Sequence, residues 1–244
     1  MIHLEHIAQV WGVSGSLGGG KTLSAVQLAV WAISRRYFVL SNVLLNNDAL
    51  KQEGFPQPER RWQYIDLENE DPATWPTGSL RGSGGKKRVV VIIDECAEFF
   101  DQWSGNKGSV NRLLSWLRHS SKLGQDVVLV VQRPEYLNKS VRLLVNRWIW
   151  VDDLRIWRVP KLRFRLWPLR GFCMQRVFDR HNELVAGPYL LNKRRWGAFF
   201  DTAQTLSVSG VGSKSVEYGL INEVRWLPYW WLWFGSLGLL LLCL

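Results

Sequence analysis

The stretch that decides the fold is Gly15-Ser16-Leu17-Gly18-Gly19-Gly20-Lys21-Thr22, which matches the pattern G-x-x-x-x-G-K-[ST]. Glycines in such a loop let successive backbone N–H groups turn inward and cradle phosphates. The lysine of the pattern reaches the outer phosphates, and the hydroxyl of its last residue is placed to bind magnesium. All eight residues are therefore candidate nucleotide ligands, with Lys21 as electrostatic clamp and Thr22 as a magnesium ligand.

The sequence on either side of this loop supplies the context that phosphate binding requires. A short buried strand is predicted near residues 7–13. After the loop, apolar residues recur at helical spacing and predict a helix to about residue 36: Leu23, Val26, Val30 and Ile33. The order of strand, glycine loop and helix places the positive end of a helix dipole beside the phosphates. A glycine-rich surface turn is the alternative interpretation.

A second motif occupies residues 89–95. Val89–Ile93 is an unbroken β-branched run, which is typical of a central parallel strand buried on both faces. The run ends on Asp94 and Glu95, and open α/β sheets bind ligands just beyond the carboxyl ends of their strands. We therefore expect Asp94 to bind magnesium, directly or through water, and Glu95 to orient or deprotonate an attacking water. The pair could instead simply begin the next helix, where acidic residues are favoured by the helix dipole.

A third apolar strand, predicted at residues 127–131, ends in Gln132. A polar residue at the tip of a neighbouring strand can sense the γ-phosphate or position water, so Gln132 is a candidate catalytic residue. An ordinary turn residue is the equal alternative. The sequence offers no means of choosing an arginine that acts across a subunit interface among the candidates near this edge: Arg112, Arg118, Arg133, Arg142 and Arg147.

Composition limits the setting of the chain. The 244 residues suffice for one substantial α/β core, and the net charge of +10 favours nucleic acid or anionic lipid as a neighbour. The three cysteines lack metal or disulfide spacing, which favours a reduced, cytoplasmic main body. Residues 155–195 hold eleven Lys or Arg against two acidic residues, and residues 155–167 alternate basic with apolar side chains. This alternation predicts strands whose arginine face could follow a phosphodiester backbone or an acidic membrane, or merely solubilise an edge hairpin.

The order of elements predicts an α/β fold. Strands are expected near 37–41, 89–93, 127–131 and 148–151, with helices near 110–122 and 139–145 between them. Residues 42–87 are rich in Pro and Gly and are predicted to be a loop or an inserted subdomain. Residues 155–200 are predicted to be strands joined by short turns. The fold class is thus a mostly parallel sheet with an antiparallel, β-rich extension.

The end of the chain predicts a membrane anchor. Residues 226–244 carry no charge, and as a helix they would span about 28 Å, one hydrocarbon thickness. Tryptophan and tyrosine crowd the start of this run, as they do at membrane interfaces, and the basic residues lie before it. The predicted organisation is an ATPase domain at 1–205, including the basic extension 155–200, a linker at 206–225 and a single transmembrane helix at 226–244. A buried core helix or a re-entrant hairpin is the alternative for the last segment.

Several segments in order resemble the zonula occludens toxin-like (Zot) family of filamentous phage assembly ATPases, which are related to FtsK/HerA-type DNA pumps. They are Gly15 to Thr22, Val91-Ile92-Ile93-Asp94-Glu95 followed by Phe99-Phe100, Leu117-Arg118-His119 ahead of Gly124-Gln125-Asp126-Val127, Val130-Val131-Gln132-Arg133-Pro134, Val141-Arg142, and one predicted membrane span. The resemblance covers nearly the whole chain. Relatives commonly carry a further domain beyond the span, whereas this sequence ends at Leu244, so we expect a separate protein to supply it or an unusual host envelope.

The resemblance implies an inner-membrane, single-pass ATPase that uses ATP and Mg²⁺ and drives export of single-stranded phage DNA as coat protein assembles on it. It also implies a homo-oligomeric ring and other phage assembly proteins as partners. Two alternatives stay open. One is a DNA-translocating or packaging ATPase that grips DNA directly, and the other is a membrane adaptor that binds nucleotide with little turnover.

Overall fold

The protein is described by a computed structural model that covers residues 9–67, 69–78, 88–100, 107–154 and 171–200, with the backbone alone for 107–110. The strands are β1 Val10–Gly15, β2 Phe38–Ser41, β3 Trp62–Tyr64, β4 Val89–Ile93, β5 Gln125–Val130, β6 Arg147–Asp153, β7 Phe172–Asp179 and β8 Leu184–Asn192. The helices are α1 Lys21–Ser34, α2 Asn47–Gln52, α3 Ala97–Phe100, α4 Lys107–His119, α5 Lys139–Arg142 and α6 Lys193–Gly197.

All eight strands of the described ranges form one sheet in the order β3-β2-β4-β5-β1-β6-β7-β8. The pairs from β3 to β6 are parallel, whereas β6–β7 and β7–β8 are antiparallel. The predicted mostly parallel sheet with an antiparallel extension is therefore confirmed. Because β1, β4 and β5 are neighbours and run in one direction, the loops after them meet at one edge of the sheet.

The core lies on both faces of this sheet. In β4, Val90 and Ile92 join the cluster that contains α1, while Val89, Val91 and Ile93 join the cluster that contains α4. All five side chains are buried, as the unbroken β-branched run predicts. Helix α1 is itself almost fully enclosed, with ten buried residues from Ser24 to Ile33. The loop before α1 is thus held between two rigid elements.

The predicted elements correspond to observed ones with shifted ends. Strand β1 begins at Val10 and continues to Gly15, so the first residue of the glycine motif is still part of the strand. Helix α4 begins at Lys107 and ends at His119, three residues earlier at each end than predicted. On this helix Leu113 and Leu117 are buried in the core of the protein, and Arg118 is exposed. End positions shift because capping and packing, rather than apolar spacing, decide where an element stops.

Residues 42–87 were predicted to be a loop or an inserted subdomain, and their described part contains regular secondary structure. The described part holds helix α2, strand β3 and short 3₁₀ turns at Pro58–Arg60 and Pro72–Thr74. Two of the four prolines of this region, Pro58 and Pro72, each occupy the first turn of a 3₁₀ segment, where a missing N–H costs nothing. Strand β3 has three residues and adds to the sheet edge beside β2, and so short a strand has no readable periodicity.

Several predictions fall outside the described residues. They are the arginine ladder at 155–167, the linker at 206–225 and the transmembrane helix at 226–244. Among the helices within the described ranges, none has the length and apolar character needed to cross a bilayer.

Candidate functional site

A cavity of about 470 Å³ opens where the loops after β1, β4 and β5 meet. This volume lies in the range of ordinary small-ligand sites. It is lined by every candidate catalytic and metal-binding residue of the sequence analysis: Lys21, Thr22, Asp94, Glu95 and Gln132. Leu17, Gly18 and Gly20 of the glycine loop also line it. The fold therefore brings into one cavity residues that are more than a hundred positions apart in sequence.

The glycine loop needs glycine for two different reasons. At Gly15 a Cβ atom would collide with the carbonyl oxygen of Val151 on β6, so the loop leaves the sheet in close contact with the neighbouring strand. Gly20 has a φ of 100°, and a Cβ there would lie 2.8 Å from Sγ of Cys173 on β7. Gly20 also precedes α1, whose first N–H groups have no partner within the helix. A bound phosphate would accept hydrogen bonds from these N–H groups.

The side chain of Lys21 folds over the glycine loop and is hydrogen-bonded to its backbone. Its ammonium group donates to the carbonyl oxygen of Ser16 at 3.0 Å, and the side chain is half-buried. Burial lowers the pKa of Lys21, while the nearby carboxylates of Asp94 and Glu95 oppose that change. An incoming polyphosphate would supply the anionic partner that the half-buried ammonium group favours.

Thr22 and Asp94 are in direct contact. The Thr22 hydroxyl donates to Oδ2 of Asp94 at 2.7 Å, which links the start of α1 to the tip of β4. Burial raises the pKa of Asp94, and the hydrogen bonds from Thr22 and from the backbone N–H of Glu95 partly offset the change. A carboxylate destabilised by burial is stabilised by a nearby cation.

These two oxygen donors fit magnesium, which prefers one or two protein oxygens and completes its shell with water and phosphate oxygens. Thr22 and Asp94 would hold the ion. Elsewhere in the described ranges, no group of three or more His, Cys, Asp or Glu side chains could bind a metal.

Asn42 fixes the position of Asp94 from the neighbouring strand. It follows β2, accepts from the backbone N–H of Asp94 at 2.7 Å and donates to the Asp94 carbonyl oxygen at 2.9 Å. Sequence reasoning missed this residue. The signal was present, because Asn42 directly follows a predicted strand, as Asp94 and Gln132 do.

Glu95 has a left-handed backbone conformation. Its φ is 51°, in the left-handed region that costs a residue with a side chain about 1–2 kcal/mol. Its N–H donates to Oδ1 of Asp94 at 2.8 Å, which holds the turn in place. The carboxylate is exposed and lines the cavity, where a water attacking a bound phosphate would pass.

Gln132 is tied to the first strand through its backbone. Its carbonyl oxygen accepts from the hydroxyl of Ser14 at 3.1 Å and from the N–H of Gly15 at 3.4 Å. The side chain is exposed and lines the cavity, as a sensor residue requires. The roles of these residues remain predictions that chemistry must test.

The antiparallel extension packs directly against the glycine loop. Lys193 of α6 forms an ion pair with the buried carboxylate of Asp153 at 2.9 Å, and its ammonium group lies 3.4 Å from the Gly18 carbonyl oxygen. Gln175 of β7 donates to Ser24 at 2.8 Å and to Gln27 at 3.0 Å, both on α1. Burial raises the pKa of the Cys173 thiol to about 11, so this side chain is a neutral packing group beneath Gly20 at neutral pH.

Sequence reasoning did not find these supporting contacts. Cys173, Gln175 and Lys193 lie in a segment that was predicted only as basic strands joined by short turns, and no local pattern indicates that β7 faces α1. The candidate arginines for an intersubunit role are dispersed. Arg112, Arg118 and Arg133 are exposed, whereas Arg147 lies over the Trp11 ring at 5.4 Å from its centroid.

The sheet order, the glycine loop and the carboxylate pair define a P-loop nucleotide-binding protein of the α/β class. The family model described as Zonular occludens toxin (Zot) matches residues 10–155. The chain therefore belongs to the Zot family.

Individual relatives agree with this assignment. The chain is 29% identical over 139 residues to the Gene 1 protein of Enterobacteria phage I2-2, covering 54% of this chain and 37% of that protein. It is 28% identical over 139 residues to the Gene 1 protein of Salmonella phage IKe, with the same coverage of 54% and 37%. The matched region thus spans well under half the length of these curated relatives.

Among solved structures, the N-terminal domain of zonular occludens toxin from Neisseria meningitidis aligns with a TM-score of 0.48 at 16% identity. The alignment covers 80% of this chain and all of that domain.

Proposed function

We propose that this protein is a magnesium-dependent ATPase that drives the assembly and export of a filamentous phage. The observation that carries the proposal is the 2.7 Å contact between the Thr22 hydroxyl and Asp94, because it joins the phosphate-binding loop to the acidic strand tip in one cavity. Membership of the Zot family and similarity to phage Gene 1 proteins support the assignment to phage assembly.

Each residue of the cavity has a separate role in hydrolysis. The glycine loop and the first N–H groups of α1 bind the phosphates, and Lys21 neutralises charge that develops on the outer phosphate. Thr22 and Asp94 would hold Mg²⁺, and the ion would supply positive charge that offsets the charge of the phosphates. Glu95 accepts the proton of the attacking water, and Gln132 orients that water or reports the presence of the γ-phosphate.

The finer parts of the proposal rest on the sequence and on the family resemblance. The uncharged segment 226–244 anchors the chain in the host inner membrane, with the ATPase domain on the cytoplasmic side. The protein works as a homo-oligomeric ring, with single-stranded phage DNA, coat protein and other assembly proteins as partners.

The test is steady-state ATP hydrolysis by the purified full chain, compared with Lys21→Ala and with the exposed control Lys122→Ala. We expect Mg²⁺-dependent hydrolysis that falls by about 10²–10³-fold in Lys21→Ala, as for loss of one preorganised charge, and is unchanged in the control. Phage production should fail with Lys21→Ala alone.

Two outcomes would contradict the proposal. Wild-type turnover in Lys21→Ala would remove the glycine loop from the chemistry. Stoichiometric ATP binding with negligible phosphate release, with and without single-stranded DNA, would instead favour a nucleotide-binding adaptor.

A further inference from the structure

Phe200 is one of two aromatic side chains among the described residues that line the cavity, together with the glycine loop, carboxylates, an amide and several aliphatic side chains. It ends the segment 193–200, which we name the crossing segment because it leads from β8 to the end of β2. The proposed function accounts for the phosphates of a bound nucleotide but leaves its base without a partner. The crossing segment offers one.

The crossing segment is firmly fixed on both sides. At its start Lys193 pairs with Asp153, and its backbone N–H donates to the Gly171 carbonyl at 2.8 Å. At its end the Phe199 carbonyl accepts from the N–H of Asn46 at 2.7 Å, and Phe200 forms a β-bridge with Leu45. A ring carried on so well-anchored a backbone is preorganised, so little ordering entropy opposes binding.

The aromatic side chains next to Phe200 are buried in the core, whereas Phe200 is only partly buried. Trp196 and Phe199 are 6% and 3% exposed, pack with α1 in one core cluster, and have ring centroids 5.5 Å apart. Phe200 is only partly buried against that cluster and also lines the cavity. Phenylalanine has no hydrogen-bonding group, so its contribution to a ligand is apolar contact and stacking.

Tyr136 is the other aromatic side chain among the described residues that line the cavity. It is 46% exposed and lies in the 3₁₀ turn Pro134–Tyr136, close after Gln132 at the tip of β5. That position is at the edge of the sheet where the loops after β1, β4 and β5 meet, and where the proposed function puts the terminal phosphate and the attacking water. Phe200 instead lies after the end of α6 and pairs with Leu45 in the segment after β2, so the two rings come from different parts of the fold.

We propose that the ring of Phe200 stacks on the nucleobase of the bound nucleoside triphosphate. The inference rests on the proposed function, since it assumes that the phosphates occupy the glycine loop. Stacking on an aromatic ring tolerates different bases, because every base has a π-face. Phe200 thus contributes affinity for the nucleoside and no strict choice among bases.

The experiment compares the binding of ATP and of inorganic triphosphate to the purified full chain. Phe200→Leu retains apolar contact with the core but removes the ring, and Phe200→Trp restores an aromatic surface. We expect Phe200→Leu to weaken ATP binding by roughly 5- to 100-fold, the range of one base–aromatic stack, and to leave triphosphate binding unchanged. Phe200→Trp should bind ATP as the wild type does.

Matched variants separate failure of this inference from failure of the proposed function. Equal weakening of both ligands, no weakening, or a selective loss of ATP in Tyr136→Ala in place of Phe200→Leu would overturn the assignment to Phe200. Lys21→Ala should weaken both ligands. If Lys21→Ala binds both as tightly as the wild type, the phosphate site itself is wrong, whatever Phe200→Leu does.

Discussion

The parallel strands and the antiparallel extension contribute to the same cavity in different ways. The tips of β1, β4 and β5 supply side chains that face a ligand: Lys21, Thr22, Asp94, Glu95 and Gln132. Strand β7 and helix α6 contact the back of the glycine loop and of α1 through Cys173, Gln175 and Lys193. We therefore expect the strand tips to carry out the chemistry and the extension to fix the position of the loop.

The two regions also differ in how they can be altered. Changes at the strand tips should reduce turnover with little loss of stability, because several of these groups are held in unfavourable surroundings. Changes in the extension should destabilise the fold more than they slow chemistry.

The largest effect is expected from Asp94→Asn. Turnover should fall by about 10²–10³-fold, because a charge that binds Mg²⁺ is lost. Burial raises the pKa of Asp94 in the folded chain, so its ionised form opposes folding above the unfolded-state pKa. The amide should therefore leave the free energy of unfolding at pH 7 unchanged or increased. Denaturant unfolding and ATP hydrolysis measure the two effects.

The control for Asp94→Asn is Asp48→Asn, whose side chain is exposed on α2. It should leave turnover unchanged and lower the free energy of unfolding by less than about 1 kcal/mol, because Asp48 lies in the first turn of α2. A strongly destabilised Asp94→Asn that keeps normal turnover would reverse the roles assigned to the two regions.

The next effect is expected from Lys193→Met, which leaves the Asp153 carboxylate without its lysine at a site where only 4% of the side chain is exposed. Breaking a buried ion pair costs about 3 kcal/mol of folding free energy. At temperatures where the variant remains folded, we expect kcat to change by less than about threefold, since Lys193 contacts the back of the loop.

The thermal unfolding and the kcat of Lys193→Met are compared with those of Lys139→Met, because Lys139 is exposed. Normal stability together with a large loss of kcat would place Lys193 among the groups that act on the nucleotide.

A pH-dependent effect is expected at the amino end of β5, away from both regions. Asp126 pairs with Arg88 at 2.9 Å, yet burial raises its pKa from 3.8 to about 6. Because the folded pKa is the higher one, the ionised carboxylate opposes folding, and stability falls as the pH rises from about 4 to about 6. Across this window Asp126→Asn should gain about 2 kcal/mol of unfolding free energy relative to the wild type.

Urea denaturation of both proteins at several pH values in that window measures this difference. A difference that does not vary with pH would mean that Arg88 keeps Asp126 ionised throughout.

The smallest effect is expected from Gln175→Leu. The substitution keeps the approximate volume but leaves the buried Ser24 and Gln27 without their partner on β7, at a cost of about 1.5 kcal/mol. A double-mutant cycle with Ser24→Ala should yield a coupling energy of at least about 0.5 kcal/mol. Additive losses would show that β7 and α1 are not coupled through this contact.

The sequence predicted the strand-tip residues that line the cavity better than the residues of β7 and α6 that pack behind the glycine loop, and the reason is physical. Phosphate binding and metal binding impose local spacing, so Lys21, Thr22, Asp94 and Glu95 stand in short motifs, and the β-branched run before Asp94 marks a doubly buried strand. Gln132 follows from the same strand-tip logic.

The supporting residues carry no such spacing. Gln175 meets α1 across 151 positions of sequence separation from Ser24, and Lys193 meets Gly18 across 175. Which face of β7 turns toward α1 depends on the antiparallel register with β6, which the sequence did not specify. Phe200 reaches the site through the same long-range packing.

The most direct test of the account is a single-turnover experiment with Glu95→Gln, because this change removes a base and keeps the shape of the side chain. The purified full chain is mixed with limiting radiolabelled ATP and Mg²⁺, and bound ATP and ADP are separated over time. We expect Glu95→Gln to bind ATP as the wild type does but to hydrolyse it at least about 100-fold more slowly. Hydrolysis at the wild-type rate would contradict the assignment of catalysis to the tip of β4.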